Sequence, residues 1–121
     1  MLGIGCDIIE IKRIAKAVAN QRFVERVYTE QEIAYCQSRG KQANASFAAR
    51  FAAKEAVLKA LGTGLRGGEI KEIEVRIDSL GKPSIELHGY HKEAAENLGV
   101  KKILVTLSHS MENAIAVVTM E

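Results

Sequence analysis

The 121-residue chain predicts an α+β fold, a compact single domain over 1–121 in which an antiparallel sheet packs against one long Ala-rich helix. Three observations carry this expectation. From about Asn44 to Leu61 an unbroken helical stretch gathers Ala45, Ala49, Ala52, Ala53, Ala56 and Ala60 on one broad side and stops at Gly62. The second half of the chain alternates apolar and polar residues at period two, with turn signals between the runs. Hydrophobic residues make up 47% and charged residues 26% of the chain, which excludes disorder and leaves enough material for one core. With no Trp, three Tyr and three Phe, that core rests on Ile, Leu, Val and Ala.

Residues 2–9, LGIGCDII, are apolar almost throughout with Asp7 as the single charge, which predicts a short buried strand. Ile11, Ile14, Ala15 and Val18 recur at helical spacing and place a helix over 10–19. In YTEQEIAYCQSRG, Thr29 and Glu32 form a capping box and Gly40 supplies the stop. The long helix follows. GTGLRGG, residues 62–68, is a loop dividing a helix-rich first half from a strand-rich second half. IKEIEVRID (70–78) sets Ile73, Val75 and Ile77 on one face, and DSLGKP turns the chain into a second strand, SIELHG. Together they predict a hairpin with a loop of about five residues. YHKEAAENLG forms a short helix closed by Gly99, and KKILVTLSHS and NAIAVVTM give two more strands joined around Met111 and Glu112. The predicted order is β-α-α-α-β-β-α-β-β, without repeats, low-complexity tracts or linkers.

Charge and cysteine usage narrow the function classes. A net charge of +2 does not by itself argue for nucleic acid. Between Lys12 and Arg26, however, stand five bases (Lys12, Arg13, Lys16, Arg22, Arg26) and one acid, Glu25. Such a segment is either a solvated helix face or a docking patch for an acidic protein, a nucleic acid or a membrane surface. Cys6 and Cys36 have no metal-ligand spacing and fit a reducing compartment. The chain lacks a long apolar run, and acids come too early for a signal peptide, so a cytoplasmic protein is expected.

The charges on the long helix raise the question of chemistry. At about 100° per residue, Glu55 falls between the Ala side and a stripe of Phe47, Phe51 and Leu58, with Lys59 four residues on. Arg50 and Lys54 lie beyond the Phe stripe. Glu55 and Lys59 could be a simple i,i+4 ion pair worth a few tenths of a kcal/mol. Yet a carboxylate next to buried surface needs a partner or a metal, and Asp7 is a second acid on an apolar element. Two carboxylates suit a hard cation such as Mg²⁺, and Arg50, Lys54 and Lys59 suit phosphate. LSHS (107–110) ends a strand with hydroxyls and an imidazole that can bind phosphate or merely leave the sheet. Ser108 and His109 point to opposite sides of a strand and no GxSxG elbow exists, which argues against a hydrolase. GTGLRGG lacks the ending of a Walker loop.

With these pieces placed, the chain resembles the bacterial holo-acyl-carrier-protein synthases, the short form of the 4′-phosphopantetheinyl transferases. GIGCDIIEIKRI (3–14) is similar to the family's G-x-D motif followed by a basic helix. FAAKEAVLKALGTG (51–64) resembles its most specific motif, F-x-x-K-E-x-x-x-K-A with a glycine loop, and LSHS the third. FVERVYTEQE and DSLGKP fall where the family has similar segments, so the resemblance spans essentially the whole chain.

The resemblance implies transfer of the phosphopantetheine arm of coenzyme A to a serine of acyl carrier protein, with release of 3′,5′-ADP, in support of fatty acid biosynthesis. Asp7 and Glu55 are then the Mg²⁺ ligands, and Glu55, directly or through water, the candidate base. Lys59 contacts the pyrophosphate, with Gly62 beside it on the coenzyme A side. Arg50, Lys54, Ser108 and His109 take the nucleotide and 3′-phosphate end. Arg13, Arg22, Phe23 and Arg26 form the carrier-protein surface, and neither nucleic acid nor membrane is a partner. Family members of this length are similar in being homotrimers with active sites at subunit interfaces. The rival reading is a non-catalytic basic docking module for an acidic protein or nucleic acid.

Overall fold

The computed structural model describes residues 1–121. Strand β1 (Gly3–Glu10) runs straight into helix α1 (Ile11–Val18), followed by α2 (Gln21–Val27) and α3 (Glu30–Gln37). A 3₁₀ turn (Gly40–Gln42) leads into the long helix α4 (Ala43–Leu61). After the glycine loop and a second 3₁₀ turn (Ile70–Glu72) come β2 (Ile73–Ile77), β3 (Pro83–Leu87), α5 (Gly89–Asn97), β4 (Ile103–His109) and β5 (Asn113–Met120). The α+β expectation and its element order hold, with two differences.

The first is α2, a helix absent from the sequence expectation. Asn20 caps it by accepting from the Arg22 amide, and Val24 and Val27 are its buried residues. At seven residues it carries too few apolar repeats for a helical period to stand out. The second is that the strands form two sheets. One is three-stranded and antiparallel in the order β1-β5-β4, and the other is the β2-β3 hairpin, whose turn spans residues 78–82.

Two predicted boundaries have visible causes, and a third falls short. Thr29 Oγ1 accepts from the Glu32 amide while Glu32 Oε1 accepts from the Thr29 amide, so the capping box is complete. Helix α3 ends at Gln37, three residues before the expected stop at Gly40. Gly62 ends α4 in the left-handed region at φ 75°, its amide returning to the Leu58 carbonyl.

Helix α4 is the spine of the molecule, 19 residues long and buried on most of its circumference. Ala52, Ala53 and Ala56 have no exposed surface, and Ala114, Ala116, Val118 and Met120 of β5 close over the helix. Strand β1 packs so closely that a Cβ on Gly5 would collide with the Ala56 carbonyl, and one on Gly3 with that of Ala60. The alanines of α4 and the glycines of β1 thus let one backbone lie against the other. Strand β1 is not the fully buried strand expected. Its odd-numbered residues face α4, whereas Ile4 and Ile8 are each 62% exposed on the opposite face. A near-continuous apolar run does not reveal that only one of its faces is covered by this chain.

Candidate active site

The close β1–α4 packing decides which side chains meet. Asp7 pairs across the sheet with Ala116, on the face turned toward α4, and so comes down beside the C-terminal half of the helix. There Lys59 Nζ donates to Asp7 Oδ1 at 3.0 Å and to the Cys6 carbonyl at 3.0 Å. Lys59 therefore pairs with Asp7, and the simple Glu55–Lys59 ion pair is not the arrangement found. Glu55 is half-buried one turn earlier on the helix. Burial pushes its carboxyl pKa up and the neighbouring Asp7 charge pushes it further, with Lys59 opposing. Asp7, Glu55 and Lys59 thus form one electrostatic group.

That group opens onto a cavity of about 440 Å³ lined by Glu55, Leu58, Lys59, Gly62, Gly64 and Leu65. The Asp7 carboxylate beside Glu55 raises the cost of ionising Glu55, and no third acid, His or Cys is grouped with the two, so they could supply at most part of a cation's ligands. Such a donor set fits Mg²⁺, which takes its remaining oxygens from water and substrate phosphate.

A second cavity, about 160 Å³, lies further back along α4, with Tyr35, Ser46, Arg50, Ile77, Ser108 and His109 among its lining residues. Arg50 is 3% exposed. Its Nη1 donates to Ser46 Oγ at 2.8 Å, its guanidinium lies 4.4 Å from the Tyr35 ring centroid, and its buried Nε has no partner. A held guanidinium with a donor to spare is suited to an anion. Tyr35 and Ser46 were not singled out by sequence reasoning. Ser46, one turn before Arg50, was a readable signal, whereas Tyr35 reaches the site only through the tertiary packing of α3.

Lys54 is corrected. Expected at the nucleotide end, it has no exposed surface, and Nζ donates to Glu32 Oε1 at 2.8 Å and to the Ile73 carbonyl. Glu32 in turn accepts from the Thr29 and Val75 amides at 2.9 and 2.8 Å. Burial draws the Lys54 pKa down while the Glu32 carboxylate opposes it. Lys54 ties α4 to α3 and β2 and is out of a ligand's reach.

Arg13, Arg22 and Arg26 are exposed on α1 and α2, which follow directly from β1. Phe23 is half-buried, its ring 6.1 Å from Phe51 and 6.3 Å from Tyr28, with Arg26 over it at 5.9 Å. It presents only part of its surface to a partner.

Besides this antiparallel sheet and long helix with acids and bases on their common seam, the chain matches the 4′-phosphopantetheinyl transferase superfamily model over residues 3–118. The holo-[acyl-carrier-protein] synthase of Alkaliphilus metalliredigens is 50% identical over 116 residues, covering 94% of this chain and 93% of that protein. That of Ruminiclostridium cellulolyticum is 49% identical, covering 93% of this chain and 87% of that protein. Among solved structures, the Neisseria meningitidis synthase superposes with a TM-score of 0.89 at 35% identity, covering 100% of this chain and 98% of that one. The Helicobacter pylori synthase in complex with coenzyme A gives 0.84 at 32%, covering 98% and 99%. The chain belongs to the holo-[acyl-carrier-protein] synthase family of phosphopantetheinyl transferases.

Proposed function

We propose that this chain transfers the 4′-phosphopantetheine arm of coenzyme A to a serine of apo-acyl carrier protein, releasing adenosine 3′,5′-bisphosphate, in Mg²⁺-dependent support of fatty acid biosynthesis in the cytoplasm. The observation that carries the reading is the meeting of Asp7, Glu55 and Lys59 at the β1–α4 seam, beside an open cavity.

The reaction forms a bond from the serine Oγ to the phosphopantetheine phosphorus and breaks the bond from that phosphorus to the bridging oxygen, which leaves with the nucleotide. Asp7 and Glu55 would hold Mg²⁺, which supplies charge neutralisation for the pyrophosphate. Lys59 sets an ammonium where the leaving oxygen's charge develops. Glu55, whose surroundings raise its affinity for a proton, accepts the one lost by the serine. Arg50, with its spare buried donor, and Ser108 and His109 beside it suit the nucleotide end, and Gly62 lets substrate approach the backbone near Lys59. The basic α1–α2 face, with Arg13, Arg22, Arg26 and the accessible part of Phe23, suits an acidic carrier protein, so no nucleic acid or membrane surface is required.

The site is also read as shared between copies of a homotrimer. Arg50 and Lys59 are nine residues apart on α4, roughly half a turn out of phase and about 13 Å along its axis. One extended substrate reaches both more readily if each comes from a different subunit. The outer face of the three-stranded sheet suits such an interface, with Ile4, Ile8 and Leu104 exposed and Ile115 and Val117 between them.

The decisive experiment incubates the protein with apo-carrier protein, coenzyme A and Mg²⁺ and reads the carrier by mass spectrometry. A gain of one phosphopantetheine arm is expected, and it disappears with a chelator and returns with added Mg²⁺. No gain with several carrier proteins would overturn the reading.

A further inference from the structure

The glycine loop after α4 rests on a pair of rings. A Cβ on Gly67 would lie 2.8 Å from Tyr90 Cε2, and one on Gly68 2.6 Å from His91 Nε2 and 2.9 Å from Tyr90 Cδ1. The two rings stand edge to face at 5.5 Å. They belong to the first turn of α5, whose His91 amide lies 3.4 Å from Glu72 Oε1. The earlier part of the same loop, Gly62, Gly64 and Leu65, walls the cavity shared with Glu55 and Lys59. The residues seated on the rings are thus continuous in the chain with Gly64 and Leu65 of that wall, which hinges on Gly62 at the end of α4.

His91 is an odd choice for a floor. It has no exposed surface, and neither ring nitrogen makes a hydrogen bond of full geometry, its polar surroundings being the Glu69 backbone and the Glu72 carboxylate. A buried imidazole left unpaired costs free energy that an apolar side chain of similar size would not. Burial also holds the ring's pKa below the usual histidine value. The cost is relieved if the loop lifts, because water then reaches Nε2, the nitrogen that faces Gly68. Ring contacts favour the seated loop, and hydration of His91 favours the lifted one.

We propose that residues 62–68 form a reversible flap over the Glu55–Lys59 cavity, seated on Tyr90 and His91, and that His91 is a positioning residue that keeps the flap able to open. The link to coenzyme A rests on the function proposed above, whereas the flap's motion can be read without it.

Two variants push the flap in opposite directions. Gly68→Ala intrudes on both rings and unseats it, and His91→Leu keeps a side chain of similar bulk while removing the buried polar nitrogens. Hydrogen–deuterium exchange of amides 62–69 in the ligand-free protein is expected to speed up in Gly68→Ala and slow down in His91→Leu. In turnover, Gly68→Ala raises KM for coenzyme A roughly tenfold with kcat within about twofold, and His91→Leu lowers KM and kcat together as release slows. Should Gly68→Ala fail to fold, Tyr90→Ala, at a position 39% exposed, removes half of the seat and is expected to speed exchange likewise. Unchanged loop exchange in these variants, or a shift of the same sign in Gly68→Ala and His91→Leu, overturns the flap. If exchange shifts as expected but the wild-type protein transfers no phosphopantetheine, the flap stands and the function proposed for its cavity falls.

Discussion

Glu55 is the residue at which the proposed function and stability oppose each other. Its ionised form is disfavoured by burial and by Asp7, so with no bound cation the fold carries an electrostatic cost at this position. Glu55→Gln removes that charge and keeps the shape. It is expected to lower turnover at least about 100-fold while leaving the metal-free protein as stable as wild type or more so. Activity and a thermal melt on the same preparation check this. A variant that loses several degrees of Tm along with activity would show that Glu55 works as an internal ion-pair partner. Asp7 differs, because it holds Lys59 at 3.0 Å. Asp7→Ala is expected to abolish transfer with the fold intact. All three charges stand out in the sequence, as acids and a base on otherwise apolar elements. That Lys59 prefers Asp7 to Glu55 could not be read there, since it depends on how deeply β1 sinks onto the helix.

Among the elements, α4 was the most legible, because its alanine side, length and glycine stop are local properties. Lys54 was not, because helical phase gives an azimuth and leaves open which neighbouring element covers it. Its cover is Glu32, 22 residues earlier in the chain, on a helix whose capping box was visible but whose docking was not. The pair is fully buried and each partner has further hydrogen bonds, so truncating one strands the other. Lys54→Ala is expected to cost about 3–5 kcal/mol in chemical denaturation, with KM for coenzyme A unchanged in whatever fraction folds. A raised KM with normal stability would return Lys54 to the nucleotide end. The α5 element has its own titration. In the unfolded chain His91 takes up a proton as pH drops through 6.5, whereas burial in the fold delays this to lower pH. Below 6.5 the unfolded state therefore binds more protons, and stability falls as pH falls. Denaturant midpoints measured from pH 7 downward are expected to decline less steeply in His91→Gln than in wild type.

At the scale of the whole molecule, the sequence carried the α+β class and the order of the strands along the chain but hid their division into two sheets and the one-sidedness of the larger one. Ile4 and Ile8 read as core, and with Val117 beside them on the same face they are core only if another copy covers them. Placing a carboxylate among them, as in Val117→Asp, is expected to yield monomers in sedimentation and to remove activity without unfolding the chain. The sharper test uses the two sides of α4. If the Arg50 side of one subunit completes the Glu55 side of the next, Arg50→Ala and Glu55→Gln damage different halves of each shared site. Each variant alone assembles only defective sites. When the two are unfolded together and refolded as a mixture, an interface that draws its Glu55 half from the Arg50→Ala chain and its Arg50 half from the Glu55→Gln chain is whole. Random assembly of equal amounts makes about one interface in four of this kind, so about a quarter of wild-type activity is expected from two inactive proteins. A site contained within one chain predicts no recovery at any mixing ratio. Adding Val117→Asp to both chains should abolish the recovery, because complementation then has no interface on which to occur.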